Sequence, residues 1–435
     1  MKAKNIKTAL AALLVLVLLS GVGHAETLEQ AWAQAYQTNP GLAVKRSELK
    51  ITQEQITMAR THWQPNISAV TSVGKLYDKT PGNAMLPPSG ASTPRNYGVE
   101  VVQPLFRGFR TIEETSVAQK QALGHYALFQ AAEQQLFLNV AAAYLDIVRD
   151  QAVLDLNRHN GEVLDRQYKE TQKRFDLGEV TRTDVLQAQS RAQGAKTALV
   201  RAQGQLANDR AAYLRFVGTS PETLKAPDMK LEPPLDGDAV VENAVTKNPA
   251  VIAASYSKDQ ADDETNASLG SLLPELNLVG SATRGWEQSE FIPGRQDEAR
   301  VMLQLKIPLY QAGTEYSAIR SSEHKATARR MELEDVRLAV RQSATSAVQA
   351  LTTARSAVVS DQAQVDAASL ALDGVRKEAQ AGTRTTLDIL NAEQELLAAK
   401  VGLVQAKRDE AVAVMQIKAA VGALTAEALQ IKGGD

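Results

Sequence analysis

The 435-residue chain has no cysteine. Disulfides and thiolate metal centres are therefore excluded, stability has to come from packing, and no lipid can be carried on an N-terminal cysteine. No sign of charge dominates either, with 48 Lys and Arg against 50 Asp and Glu and a net charge of −2. That balance gives no general electrostatic case for binding nucleic acid or an anionic membrane surface. The five histidines (His24, His62, His125, His159 and His324) include no two at metal-ligand spacing. Phosphate loops and nucleophile elbows are also missing, so neither an enzyme nor a cofactor or metal is expected.

Long apolar runs are scarce. The only one, Ala9 to Leu19, follows Lys2, Lys4 and Lys7 and precedes Gly23-His24-Ala25. This is the pattern of a secretory signal peptide over 1–25, with a mature chain starting at Glu26. The run is short for a membrane-spanning helix, and no later segment reaches the roughly 18 apolar residues one requires.

What the chain does contain is an internal duplication. Asn39-Pro40 recurs as Asn248-Pro249 and Pro65 as Pro274, both 209 residues apart. From Pro104-Leu105-Phe106 and Pro308-Leu309-Tyr310 onward the offset is 204, and it holds for Gly178 with Gly382, Asp184-Val185-Leu186 with Asp388-Ile389-Leu390, and Val217-Gly218 with Val421-Gly422. Two repeats follow, 26–220 and 238–424, joined by a proline-rich linker (221–237) and followed by a tail at 425–435. The period is far too long for a stacked solenoid.

Each repeat changes its periodicity twice. Residues 27–62 have helical spacing, which Pro65 ends. Ile67 to Tyr77, Asn96 to Gln103 and Val301 to Ile307 are strand-like, with Tyr97, Val99 and Val101, then Val301, Leu303, Leu305 and Ile307, alternating with their neighbours. Asp78 to Arg95 and Glu287 to Glu298 read as loops. Gly108 to Phe175 and Gly313 to Gln380 lack proline, and one helix of that length would reach about 100 Å at ~1.5 Å per residue. Leu136, Val140, Tyr144, Ile147 and Leu154 mark a coiled-coil-like seam. Gly161, Gly194 and Gly374 within the helical regions suggest close helix approach or bending.

Four strands of about ten residues match membrane-spanning length. Four cannot close a barrel, and an open edge in lipid leaves backbone groups unpaired, so insertion requires oligomerisation. Three copies give twelve strands. A soluble sheet packed on helices explains the alternation, but not the export signal combined with helices of this length.

The element order, the duplication and the strings Gln103-Pro104-Leu105-Phe106, Arg174-Phe175-Asp176-Leu177-Gly178 and Gly382-Thr383-Arg384-Thr385-Thr386-Leu387-Asp388-Ile389-Leu390 resemble the TolC family of outer-membrane export proteins. The resemblance implies a mixed, mostly α membrane protein: a homotrimer with a twelve-stranded transmembrane β-barrel, four strands per chain, continued by a long periplasmic α-helical barrel. It also implies an exit duct for type I protein secretion or multidrug efflux, with a periplasmic adaptor and an inner-membrane ABC or proton-driven pump as partners and outer-membrane lipid around the barrel. The competing expectation is a non-channel periplasmic coiled-coil adaptor or spacer.

Thr181 with Asp184 and Thr385 with Asp388 have helix-capping spacing. The resemblance adds a periplasmic gate of Thr183, Asp184, Arg384, Asp388 and Asn391, in which Arg384 bridges to Thr183 and Asp184 of a neighbouring segment and Asp388 forms a luminal ring. Asn391 stands where the family carries a second acid, and Ala379 where it carries a tyrosine. Gly178, Glu179, Val180, Thr181, Gly382 and Thr383 are the implied adaptor-contact tips, and Pro65, Pro104, Pro274 and Pro308 the helix–sheet junctions.

Overall fold

The computed structural model describes residues 26–78, 90–221, 224–225, 236–288 and 294–431. The expected signal peptide, most of the linker, parts of both strand loops and the last four residues lie outside that set. In chain order the elements are α1 (Leu28–Thr38), α2 (Pro40–Thr61), β1 (Asn66–Val73), β2 (Leu76–Asp78), β3 (Gly90–Ser92), β4 (Arg95–Arg107), α3 (Arg110–Asp176) and α4 (Arg182–Val217). The second series is α5 (Gly237–Lys247), α6 (Pro249–Leu269), a 3₁₀ turn (Gly270–Leu272), β5 (Glu275–Trp286), β6 (Arg295–Lys306), α7 (Thr314–Gln380) and α8 (Thr386–Ala420). The helix expected over 27–62 breaks at Asn39, because Pro40 and Pro249 cannot donate to the turn before them and so begin new helices.

The 204-residue register reappears in the backbone. Both α3 and α7 are 67 residues long, and each follows two successive left-handed residues, Gly108-Phe109 in one repeat and Ala312-Gly313 in the other. The glycines inside the long helices are expected to mark close helix approach or bending. Instead a Cβ at Gly161, Gly194 or Gly374 would meet no described atom within 4 Å, and α3, α4 and α7 continue through them.

The contacts divide the chain into two compact units, and each draws on both repeats. One comprises Lys45–Phe129 and Pro249–Leu338. It holds an antiparallel sheet in the order β1-β4-β5-β6, so the hairpins of the two repeats meet along β4 and β5, while β2 and β3 form a small separate ribbon. At the β4–α3 turn the backbone passes very close to the 3₁₀ turn: a Cβ on Gly108 would overlap the Gly270 carbonyl oxygen, and one on Gly270 would overlap that of Gly108. Only glycine fits either position.

The other unit comprises Met1–Val44, Gln130–Asn248 and Ala339–Asp435. Its largest fully buried side chains include Tyr144, Tyr213, Phe137 and Ile147; of the predicted seam, Leu136, Val140, Tyr144 and Ile147 are core, while Leu154 is only half-buried. The Tyr144 hydroxyl sits between the carbonyls of Glu26 and Lys225, at 2.7 and 2.6 Å. The repeated asparagine has one job in both copies: the Asn39 amide donates to the Phe216 carbonyl at 3.0 Å, and the Asn248 amide to that of Ala420 at 2.9 Å. Each ties the α1–α2 or α5–α6 break to the end of the last helix of its own repeat.

Candidate functional site

The two reversing turns are built from the same local code. Two residues beyond the end of α3 lies Gly178 at φ +79°, and two beyond α7 lies Gly382 at φ +81°. The Gly178 and Glu179 amides donate to Phe175 and Arg174 carbonyls, both at 2.9 Å; those of Gly382 and Thr383 donate to Ala379 and Glu378, at 3.1 and 3.0 Å. This is the Schellman closure, in which glycine takes the left-handed position without a side-chain clash. The next helix starts at once with a capping box. Asp184 accepts from the Thr181 amide (2.9 Å) and hydroxyl (2.7 Å), and Asp388 from the Thr385 amide (2.9 Å) and hydroxyl (2.8 Å). These bonds favour the ionised form and hold both carboxyls below the ordinary aspartate range, helped by Arg174 and Arg384 respectively.

The tips differ in their ion pairs. Arg174 pairs with Glu179 at 3.1 Å, whereas Arg384 pairs with Glu378 at 2.8 Å. Glu378 is the repeat counterpart of Arg174, so the polarity is reversed between the copies. Within one chain, then, Arg384 is held by its own turn and, among the described residues, bonds to neither Thr183 nor Asp184. Thr183 is exposed in the first turn of α4, as are Glu179, Gly178 and Thr383 at the tips, while Val180 is half-buried.

Asn391 takes part in a contact that its sequence did not announce. The Arg191 guanidinium on α4 donates to the Asn391 side-chain Oδ1 at 3.0 Å and also to the Gln394 side chain on α8. Beneath it, Leu390 packs with Leu164, Ala188, Ala192 and Ala195, and Tyr168 lies against the cluster. Leu390 is 2% exposed, while its counterpart Leu186 is 54% exposed. The repeats are thus equivalent in backbone and different in contacts: α8 leans on α4 through Leu390 and Arg191. The only sequence signal was the mismatch Arg191 against Glu395, which repeat comparison finds but cannot interpret without the packing.

A buried charge cluster in the same unit was also missed. Arg149 reaches Asp146 at 2.8 Å, Asp150 at 2.7 Å and Asp209 at 3.0 Å. Arg408 reaches Asp146 at 2.8 Å and Asp409 at 2.9 Å. Asp150 is 5% exposed, and its Oδ2 has no hydrogen-bond partner. Burial, together with the nearby Asp209 carboxylate and against the pull of Arg149, pushes the Asp150 carboxyl up to about 6.

In the sheet unit, Pro65 and Pro274 stand directly before β1 and β5, and Pro308 lies two residues after β6. Pro104 is inside β4, where the pairing to β5 shifts between Pro104 and Phe106. Lacking an N–H, it occupies the bulge rather than the junction proper. The paired rows resolve two faces, because alternate residues project to opposite sides. One face carries Ile67, Val101, Gly280 and Val301 in one row, Ala69, Val99, Ala282 and Ala299 in the next, and Leu278 with Leu303 and Leu276 with Leu305 further along. The other carries Ser68, Glu100, Ser281 and Arg300, then Val70, Gly98, Thr283 and Glu298, and ends at Glu275 with Lys306. The first face is mainly apolar along these rows, with Gln103 beside Leu278, and the second is mainly polar apart from the row of Val102, Val279 and Met302. Among the described residues no helix is long and apolar enough to cross a membrane.

A sequence model described as "Outer membrane efflux protein" matches residues 32–219 and again 240–423. The chain is 31% identical to the outer membrane efflux protein BepC of Brucella suis biovar 1, over 96% of this chain and 91% of that one. It is 26% identical to the outer membrane protein TolC of Escherichia coli, over 94% and 85%. It is 27% identical to the alkaline protease secretion protein AprF of Pseudomonas aeruginosa, over 76% and 70%. In fold it resembles the CmeC outer membrane channel of Campylobacter jejuni, with a TM-score of 0.81 at 13% identity, covering 91% of this chain and 85% of that one. The outer membrane protein VceC of Vibrio cholerae gives a TM-score of 0.78 at 18% identity over 91% and 96%.

Proposed function

The chain belongs to the outer membrane efflux protein family and is an outer-membrane exit duct rather than an adaptor, and from this we propose that three copies close it into a passive, gated channel. The observation that carries the assembly is the two-faced sheet with free edges at β1 and β6. Unpaired backbone in lipid costs several kcal/mol per group, so each β6 edge has to meet the β1 edge of a neighbour. Three protomers give twelve strands, with the apolar rows toward lipid and the Glu100, Ser281, Arg300 row toward the lumen. Conducting needs no catalytic group, and the chain acts without enzymatic chemistry.

The gate is at the helical tips. Asp388, ionised and held by its capping box, contributes one carboxylate per protomer to a luminal ring that favours cations. Arg191 with Asn391 and Gln394 holds α8 on α4, and Arg384 and Asp184 link across protomers in the closed state. Exposed polar links of this kind are screened by solvent and weak enough for a docking partner to displace. That partner is a periplasmic adaptor meeting the turns at Gly178 to Thr181 and at Gly382 to Thr383, coupled to an inner-membrane ABC or proton-driven pump. Relatives named for protease secretion and for toluene efflux support proteins and small toxic compounds alike as cargo.

Planar-bilayer recording tests the gate. Arg384→Gln, Asp184→Asn and Arg191→Ala should each raise single-channel conductance several-fold, and Asp388→Asn should weaken cation preference. Conductance and selectivity matching the parent in all four variants would overturn the assignment.

A further inference from the structure

The strand register gathers positive charge at one end of the apolar face. In the row nearest the hairpin ends, Arg95 stands opposite Trp286, which stands opposite Arg295; one row on are Tyr97, Arg284 and Asp297. These six residues share the face that continues into Val99, Ala282 and Ala299. Arg284 grips Asp297 through two bonds, at 2.6 and 2.9 Å, and Arg295 reaches the same carboxylate at 2.9 Å. Arg95 is exposed and has no ion-pair partner among the described residues. Two guanidiniums thus hold one carboxylate, and Arg95 adds a third in the adjacent row. The next acid along, Glu287, accepts from the Thr93 hydroxyl at 2.5 Å. Between the arginines the Tyr97 and Trp286 rings lie 5.0 Å apart. The other end of the face has no counterpart: its last row is Phe106, Leu276 and Leu305.

We propose that Arg95, Arg284 and Arg295 bind the phosphate groups of lipids packed around the hairpin end of the barrel. The proposal rests on the reading above in which the apolar face meets lipid. A guanidinium presents planar paired donors that match phosphate oxygens. Tyr and Trp settle at the headgroup level, with an apolar body toward the chains and a polar tip toward water. The Val99, Val101, Val301 and Leu303 rows then offer the surface along which acyl chains lie. A free phosphate would use the arginines alone; only a lipid uses the arginines, the aromatic pair and the apolar rows together. The overall charge of −2 conceals this site, because Arg95 belongs to the other repeat and meets the Arg284 and Arg295 hairpin only through strand pairing.

Native mass spectrometry of the assembled protein tests it, with bis-phosphorylated lipid A, the same lipid without phosphates, and inorganic phosphate as probes. The parent should retain the phosphorylated lipid at least tenfold better than the dephosphorylated one. Arg95→Gln with Arg295→Gln should abolish that preference, Arg95→Lys with Arg295→Lys should keep part of it, and Lys306→Gln on the opposite face should leave it intact. Equal retention of the two lipids by the parent, an unchanged preference in the glutamine variant, or displacement of the lipid by micromolar inorganic phosphate would overturn the proposal. Should the glutamine variant not assemble, the lysine variant and the dephosphorylated lipid still decide the matter. A parent that inserts into bilayers without distinguishing phosphorylated lipid defeats this inference alone, whereas one that fails to insert defeats the barrel reading.

Discussion

Gly108 and Asp150 show how single residues constrain this protein in opposite ways. Gly108 combines a left-handed backbone with a site where any Cβ would overlap the Gly270 carbonyl. Gly108→Ala should therefore cost more than the ~1–2 kcal/mol of left-handed strain alone, lowering the apparent Tm. Gly161→Ala, in open space on a helix, should instead stabilise by a few tenths to about 1 kcal/mol. If both substitutions moved the melting temperature alike, the close-approach argument would be wrong. Asp150 carries the opposite burden, a buried carboxyl with one unpartnered oxygen. Its carboxyl is raised above the unfolded value to about 6, so its favourable contribution is complete below the unfolded value near 4 and is lost as the pH rises through 6. By linkage the loss is roughly 2–3 kcal/mol. Asp150→Asn, which does not ionise, should gain on the parent between pH 5 and pH 8. Melting curves at the two pH values check this, and a difference that does not change with pH would contradict it.

Within elements, the strands and helices use the duplication differently. The helical hairpins keep a shared backbone code, Schellman glycine then capping box, and vary what projects from it. Leu390 is buried while Leu186 is exposed, and the ion pair at the turn reverses polarity between Arg174–Glu179 and Arg384–Glu378. The strands instead merge into one sheet whose two faces are continuous across both repeats. That continuity makes a direct prediction. Val301→Arg places a charge in the apolar rows and should cost about 2–4 kcal/mol in the bilayer, reducing the amount of assembled protein in outer-membrane fractions. Ser281→Arg, on the polar face, should assemble normally. Equal assembly of the two variants would reverse or erase the face assignment.

On the scale of the whole molecule, the proposed trimer depends on the edges at β1 and β6. The absence of cysteine makes the test clean. Single cysteines introduced by substitution along β1 at Ile67, Ala69 or Thr71, combined with Val301→Cys or Leu303→Cys on the same face of β6, should form disulfide-linked ladders ending at three chains. Capture restricted to two chains, or no linkage at any pairing, would rule out trimeric closure through these edges.

Much was legible beforehand because it is written in local spacing. The offsets of 209 and 204 located the repeats, Gly178 and Gly382 the turns, and Thr181-x-x-Asp184 and Thr385-x-x-Asp388 the caps. The turns and caps depend on residues within one turn of one another, and the offsets only on matching the two copies. Alternation alone likewise foretold a two-faced β-sheet. Only the tertiary structure decided which elements those faces and tips would meet. Arg191 reaches Asn391 across 200 residues, and Arg149 collects carboxylates from two helices. Gly161, Gly194 and Gly374 turned out to face open space, and Arg95, Arg284 and Arg295 became neighbours. Spacing along a chain encodes backbone conformation, but pairing across it depends on register and packing, and the two repeats share the first while differing in the second.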